Sequence, residues 1–244
     1  ADYLQEADNL RTYGALLSGR KRFVVPQPFE EWTRENVLTM QYIEGQKLDD
    51  ALLALPPDER DAVAHDFVET YSWMVHDCYR VHGDTHPGNF LLTADGDIGM
   101  LDFGCVKECQ PLVADGILRL MDACWREDHK GAADLYREMG FGREDAGDSL
   151  YDPEFIRQYH DIALKPFLVD EAFDFASWEV RVPLSDFIRK NPKFLKLTPP
   201  AESIMVIRVL GGIRGLLAST GVRLNVHRMA RECAQRNGFL TGPL

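Results

Sequence analysis

The sequence predicts an α+β fold in which a small N-terminal part, one helix and two strands, precedes a mostly helical C-terminal part. Three observations carry this expectation. Apolar residues recur every three to four positions in most of the later segments. Two short apolar runs, Phe90 to Thr93 and Ile98 to Leu101, flank the turn residues Ala94-Asp95-Gly96-Asp97, which reads as a hairpin. Proline and glycine punctuate the chain at Glu44-Gly45 and Pro56-Pro57. With 244 residues, 45% of them hydrophobic, the chain can build one large core, or a small lobe joined to a larger one.

Taken in order, residues 2–17 read as a helix with an interrupted apolar face of Leu4, Ala7, Leu10, Leu16 and Leu17, and Glu6 beside it. Phe23-Val24-Val25-Pro26 is a short strand that stops at its proline, and Val37 to Ile43 is a second strand. Glu44-Gly45 divides a segment 1–45 from a segment 46–244. Lys47 to Leu55 is a short helix closed by Pro56-Pro57, after which Asp58 opens a long helix. Its stripe Val63, Phe67, Tyr71, Met74 and Cys78 has the spacing of a buried face. His65 and His76 sit on that helix without ligand partners and read as ordinary histidines. Further helices are expected from Pro111 through Trp125 and over 128–140, 153–165, 178–190, 200–219 and 225–237, with breaks such as Gly140-Phe141-Gly142.

Net charge is −12, from 39 acidic against 27 basic residues, which argues against a nucleic-acid partner because phosphate neutralisation needs clustered Lys and Arg. Arg20-Lys21-Arg22 is the one basic run and reads as a solvated loop. Five cysteines, an odd number in a chain too large to need disulfide staples, fit a reducing compartment. Cys105-x-x-x-Cys109 lacks the second ligand pair that zinc requires. The apolar segment Ile204 to Ala218 is interrupted by Arg208 and Arg214, so no transmembrane span is expected. Phe167, Leu168, Phe173, Phe175 and Trp178, with Asp170, Glu171 and Asp174 among them, read as core packing plus a solvated loop. A lipid-facing or partner-facing surface is the alternative.

The chemistry concentrates in His82-Gly83-Asp84-Thr85-His86-Pro87-Gly88-Asn89, followed after the hairpin by Leu101-Asp102-Phe103-Gly104. Asp84 and Asn89 lie five apart, and the hairpin carries Asp102, 18 residues after Asp84, back beside them. Such a cluster suits phosphoryl transfer from a nucleotide, which needs divalent metal on the phosphates and a carboxylate to orient or deprotonate the attacking hydroxyl. The hard oxygen donors of Asn89 and Asp102 suit Mg²⁺. Asp84 is left as the base. The spacing matches the protein-kinase catalytic loop and Asp-Phe-Gly pair, with Gly83 in place of Arg and His86 in place of Lys. His82 reads as a structural histidine that bonds backbone and packs near Phe103, and His86 as a phosphate contact. No Ser, Thr or Tyr lies between Asp102 and Met121, and no Ala-Pro-Glu follows, so a phosphorylation-switched activation loop is not expected.

At these residues the chain resembles the UbiB/AarF-like atypical kinases, whose loop reads His-[Ala/Gly]-Asp-x-His-Pro-Gly-Asn before an Asp-Phe-Gly. Asp2-Tyr3-Leu4-Gln5-Glu6-Ala7-Asp8-Asn9 resembles that family's regulatory-helix segment, and the likeness extends through Val37-Leu38-Thr39-Met40 and Glu44-Gly45. The resemblance implies a protein-kinase-like fold, with residues 1–45 as part of the N-terminal lobe and 46–244 as the helical C-terminal lobe. It implies that Glu6 partners a nucleotide-binding lysine, that Met40 is the gatekeeper, and that the backbone of Gln41, Tyr42 and Ile43 bonds adenine. The family's lysine strand and its alanine-rich nucleotide loop lie upstream of the regulatory helix, so the chain reads as a fragment. By the same resemblance the ligands are ATP and Mg²⁺, with a lipid or isoprenoid small molecule and a membrane surface as partners. The setting is ubiquinone or related isoprenoid-lipid metabolism. The location it implies is the cytoplasm or an organelle interior, peripheral to a membrane.

Two other readings stay open. One is a small-molecule phosphotransferase of the aminoglycoside or choline kinase type, whose loop His-Gly-Asp at 82–84 also resembles; the intact Asp-Phe-Gly favours the first reading over it. The other is a nucleotide-binding scaffold without turnover.

Overall fold

Asp2 sets the first element: its carboxylate accepts the Gln5 N–H at 3.1 Å and caps helix α1, Tyr3–Leu17. The computed structural model describes residues 2–142 and 147–242; the first residue of segment 1–45, and positions 143–146, 243 and 244 of the later segment, lie outside the described residues. The chain continues through β1 (Phe23–Val24), β2 (Gln46–Lys47), α2 (Leu48–Ala54), α3 (Pro57–His76), β3 (Arg80–His82), β4 (Phe90–Leu92), β5 (Ile98–Met100) and β6 (Val106–Glu108). Then follow α4 (Pro111–Trp125), α5 (His129–Glu138), α6 (Pro153–Ala163), α7 (Lys165–Leu168), β7 (Phe173–Asp174), α8 (Arg181–Lys190), α9 (Ala201–Thr220), β8 (Arg223–Leu224) and α10 (Val226–Arg236). This is the expected mixed α+β fold, with a mostly helical C-terminal region and an N-terminal strand-and-helix region resembling a reduced kinase N-lobe. Two units divide the chain. Unit one holds the residues up to Tyr71 with Arg80–Glu108 and Arg208–Val222; unit two holds Ser72–Tyr79, Cys109–Ile207 and the residues from Arg223.

Unit one is built on a four-stranded sheet of order β1-β5-β4-β2, in which β1 runs parallel to β5 and the other pairs are antiparallel. The β4–β5 hairpin forms where the turn residues place it: Thr93 and Asp97 close it by backbone bonding at 2.9 Å, and Gly96 adopts φ +84°. A second ladder pairs β3 with β6. Under the sheet, Tyr13, Phe67, Phe90 and Phe103 are fully buried; Phe67 meets Phe90 edge-on at 5.1 Å, and Tyr13 lies 5.1 Å from Phe103. The buried face of α1 is Ala7, Leu10, Tyr13 and Leu17, whereas Leu4 is 47% exposed.

Three expectations about residues 20–78 are corrected. Val37 to Ile43 is not a continuous strand: it makes only single bridges, Pro28 to Met40 and Arg34 to Val37. The facing segment carries Pro26 and Pro28, which lack the N–H groups a longer ladder needs, so pairing reduces to two bonds around Met40, Phe29 N–H to Thr39 and Gln41 N–H to Gln27, each 2.8 Å. The basic run is not a solvated loop. Arg22 pairs with Asp66 at 2.6 Å and Arg20 pairs with Glu69, so both lie against α3. In the α3 stripe Val63, Phe67, Tyr71 and Met74 are buried, but the helix ends at His76 and Cys78 lies beyond it.

In unit two the expected helices are present, most with ends displaced by one to three residues. Asp128, Asp152 and Asn225 cap α5, α6 and α10. The region expected to be helical from 178 starts at Arg181, because Asp174 instead caps a short 3-10 turn, Phe175–Ser177. Phe173 and Phe175 are buried, in keeping with core packing. The core joins Leu120, Tyr136, Leu150, Phe155, Ile156 and Phe187. A buried polar chain runs through it, with Cys124 Sγ 3.3 Å from His160 Nδ1 and His160 Nε2 3.0 Å from the Tyr136 hydroxyl. Burial pushes the Cys124 thiol up to about 12 and His160 down to about 4, so both are neutral. None of the five cysteines, all among the described residues, forms a disulfide.

Helix α9 runs unbroken through Arg208 and Arg214. It is the one helix among the described residues long and apolar enough to cross a membrane, with a mean hydropathy of 1.4, and 39% of that window is buried in the protein. The buried positions, among them Val206, Val209, Ile213 and Leu217, recur at helical spacing, so one face serves the fold.

Candidate functional site

The loop 83–89 is held by its own backbone. Gly83 N–H donates to the Cys105 carbonyl at 2.6 Å, and Asn89 N–H donates to the His86 carbonyl at 2.9 Å, closing a short 3-10 turn over Pro87–Asn89. Asp84 Oδ1 accepts the His86 N–H at 3.2 Å. His86 is exposed, and its Nδ1 accepts the Gly88 N–H at 3.1 Å, so that nitrogen is committed to the turn.

The hairpin brings Asn89 and Asp102 together. Phe90 faces Met100 in register, and Leu101 N–H donates to the Asn89 carbonyl at 3.0 Å, so the two residues flank the open end of the ladder. Asp102 Oδ1 accepts the Gly104 N–H at 2.8 Å, which folds the Asp-Phe-Gly turn. His82 ties loop to turn: its Nε2 lies 2.5 Å from the Asp102 carbonyl and its Nδ1 lies 3.0 Å from the Tyr71 hydroxyl. Burial holds His82 below the usual histidine value. A neutral ring that must donate to a carbonyl carries its proton on Nε2, so Nδ1 accepts from Tyr71. His82 also packs edge-on against Phe103 at 5.2 Å, the structural role that the sequence suggested.

Helix α1 grips the same turn with two side chains one turn apart. Asn9 Nδ2 donates to the Phe103 carbonyl at 2.9 Å, while the Glu6 carboxyl lies beside the Asp102 side chain and the Phe103 backbone, next to Gly104. Burial first, and the Asp102 charge second, raise the Glu6 carboxyl above its ordinary value. Two carboxylates facing each other form a place for a cation. Asn89 fits a metal ligand in a second respect: its Nδ2 is buried without a hydrogen-bond partner, so the amide is not committed through its nitrogen. Among the described residues no group of three or more His, Cys, Asp or Glu is placed to hold a metal. Magnesium takes few protein ligands and keeps waters, and one amide with one carboxylate is a donor set that fits it.

The remaining sequence-derived residues lie on the segment that leads into β2. Met40 is half-buried and bridged to Pro28, Gln41 donates its N–H to Gln27, Tyr42 is 85% exposed, and Ile43 is buried against Gly99 of β5. Gly45 is required here: a Cβ would lie 2.8 Å from the Leu92 carbonyl oxygen. A groove of about 590 Å³ in unit two, walled by Phe173, Trp178, Lys165 and Arg223, contains none of the sequence-derived site residues.

A family model for the ABC1 atypical kinase-like domain matches residues 1–136, more than half of the 244-residue chain. The chain belongs to that family. It is 34% identical over 123 residues to an uncharacterized aarF domain-containing protein kinase, chloroplastic, of Arabidopsis thaliana, a match covering 50% of this chain and 16% of that protein. It is 27% identical over 247 residues to the mitochondrial atypical kinase COQ8 of Saccharomyces cerevisiae, covering 95% of this chain and 46% of that protein. The chain therefore spans less than half the length of these curated relatives. Among solved structures, a complex of Rv3197 with erythromycin from Mycobacterium tuberculosis superposes with a TM-score of 0.76 at 19% identity, over 99% of this chain and 59% of that one. That likeness is one of fold.

Within the ABC1 family frame, sequence reasoning left Asn9 and Tyr71 outside the site. Asn9 had a signal, since it stands three positions after Glu6 and shares its helix face. Tyr71 was read only as core. Its hydroxyl contact with His82 depends on a residue 11 positions away and leaves no local mark.

Proposed function

We propose that this chain carries the catalytic loop and metal site of an atypical kinase or ATPase that uses Mg²⁺ and ATP. What supports the reading is that the β4–β5 hairpin ends on Asn89 and Asp102, with Glu6 beside Asp102 and Asp84 on the adjoining loop. Asn89 Oδ1 and Asp102 would hold the metal, which when bound neutralises phosphate charge. Asp84 orients the attacking hydroxyl or water, its Oδ1 held by the His86 N–H. Glu6 stands ready for a cationic partner of the nucleotide phosphates. The Gln41 N–H is taken by Gln27, so adenine recognition on this segment falls to the backbone of Tyr42 and Ile43, beside Met40. With the His86 Nδ1 accepting the Gly88 N–H, its Nε2–H is the group that would meet a phosphate.

In this reading residues 1–45 belong to the smaller lobe and 46–244 to the helical one, with Gly45 at the boundary. The resemblance to the UbiB/AarF-like family is what suggests a membrane-associated setting in isoprenoid-lipid metabolism, with a lipid or isoprenoid molecule as the further ligand. The test is ATP binding and phosphate release with and without Mg²⁺ and lipid vesicles, on this chain and on a longer one bearing a nucleotide-binding lysine. Asp84→Asn is expected to abolish phosphate release and leave ATP binding within about twofold. Unchanged release in that variant overturns the role of Asp84; ATP binding indifferent to Asp102→Asn and to Mg²⁺ overturns the metal site.

A further inference from the structure

Helix α9 carries three glycines, Gly211, Gly212 and Gly215, in an apolar helix of 20 residues. Each costs the helix about 1 kcal/mol relative to alanine. Their surroundings differ. A Cβ at Gly211 or Gly215 would meet nothing within 4 Å, whereas a Cβ at Gly212 would stand 1.8 Å from Thr85 Oγ1 and 3.0 Å from Thr85 Cβ. Rotating the threonine moves the hydroxyl but not Cβ, so the α9 backbone at Gly212 is packed directly against the Thr85 side chain. Thr85 is 7% exposed and directly follows Asp84.

We infer that Gly212 is a positioning residue for Asp84, acting through Thr85: α9 is pressed against the catalytic loop at a point where only glycine fits. The inference rests on the reading of Asp84 given above. The loop is already pinned at Gly83 by Cys105 and at Asn89 by His86, and Asp84 is held by the His86 N–H. Those bonds act at the two ends of the loop and at Asp84, and the Thr85 side chain between them is packed against α9 at Gly212, which limits displacement of the loop toward the helix. A methyl group at 212 must displace the Thr85 hydroxyl and press on its Cβ, so the loop or the helix gives by a few tenths of an ångström, and a misplacement near 1 Å at a reacting group costs on the order of a hundredfold in rate.

The experiment compares Gly212→Ala with Gly211→Ala and Gly215→Ala in the whole chain. It reads thermal midpoint, ATP affinity, phosphate release, and amide hydrogen exchange over residues 83–89. The two control variants are expected to melt at or above the parent and to match it in exchange and turnover. Gly212→Ala is expected to keep ATP affinity within about twofold, to lose about thirtyfold or more in kcat, and to exchange faster over the loop. Adding Thr85→Ala, which removes the closest contact, is expected to recover most of that loss. Should Gly212→Ala not fold, Thr85→Ala alone carries the test, since it opens the same contact without adding atoms; faster loop exchange and lower kcat support the inference. Loop exchange equal to that of Gly211→Ala, with no rescue, overturns it. If the parent shows no nucleotide turnover, the functional reading has failed, and loop exchange alone decides for or against the clamp.

Discussion

His82 Nε2 lies 2.5 Å from the carbonyl oxygen of Asp102, so one buried imidazole joins the residue that opens the loop to the residue that opens the Asp-Phe-Gly turn. Replacing His82 by alanine leaves that carbonyl and the Tyr71 hydroxyl unpaired and empties space between Tyr13, Phe90 and Phe103. The expected cost is about 3 kcal/mol or more, measured by urea unfolding. Tyr71→Phe removes only the hydroxyl bond and is expected to cost about 1 kcal/mol. Equal effects of the two changes would contradict the assignment of the bridge to His82.

Glu6 supplies a prediction of opposite sign. Its carboxyl is raised by burial and by Asp102, so ionisation opposes folding: the group favours the folded state below its unfolded value, and that advantage is lost as pH rises through the folded one. Glu6→Gln is therefore expected to raise the melting temperature at neutral pH and to flatten its dependence on pH just above the ordinary glutamate range. The same variant is expected to lower phosphate release. A drop in melting temperature would show that the Glu6 contacts outweigh the repulsion.

His76 and His160 make unit two sensitive to acid. Burial lowers both to about 4, and His76 bonds the Ala114 carbonyl at 2.9 Å. The unfolded chain binds these protons near 6.5, so stability is complete above that value and falls as pH drops toward 4, by about 3 kcal/mol for each histidine. Chemical denaturation at pH 7.5, 6, 5 and 4.5 reads the slope. His76→Gln, which cannot titrate, is expected to remove about half of it.

Arg236 anchors α10 through two bonds to Asp77, at 2.8 and 2.9 Å. Asp77 is the less exposed partner, at 19%, and the guanidinium holds its carboxyl below the usual range. Arg236→Ala is expected to cost about 1 kcal/mol, and Arg236→Lys to restore less than half, because an ammonium cannot reproduce the paired geometry. Denaturation midpoints in low and high salt check this. A loss of several kcal/mol would point to packing of the arginine stem instead.

What the sequence disclosed was what local chemistry specifies. The β4–β5 hairpin was legible because Asp95-Gly96 turns the chain whatever surrounds it, and the helices of unit two were legible because their caps and apolar spacing lie within each segment. The motif residues were legible by type and spacing. Ladders of two or three residues, such as β1 with β5 and β7 with β8, are too short to show alternation and depend on partners far along the chain. Val37 to Ile43 misled because its composition suits a strand, while the prolines that limit its pairing stand in another segment. Gly212 was invisible for a related reason: a glycine in an apolar helix declares a cost, and only the threonine opposite explains it.

The order β1-β5-β4-β2 also constrains how unit one assembles. Partners within the hairpin are six to ten positions apart, whereas Phe23 reaches Ile98 and Gln46 reaches Leu92 across most of the unit. Closing the hairpin takes microseconds; recruiting two-residue strands over such spans has little to offset its loop entropy until a template exists. The hairpin is thus the natural early structure, and the flanking strands dock onto it late. Mutations in the turn at Gly96 should slow refolding, while loss of the Arg22–Asp66 pair should chiefly speed unfolding.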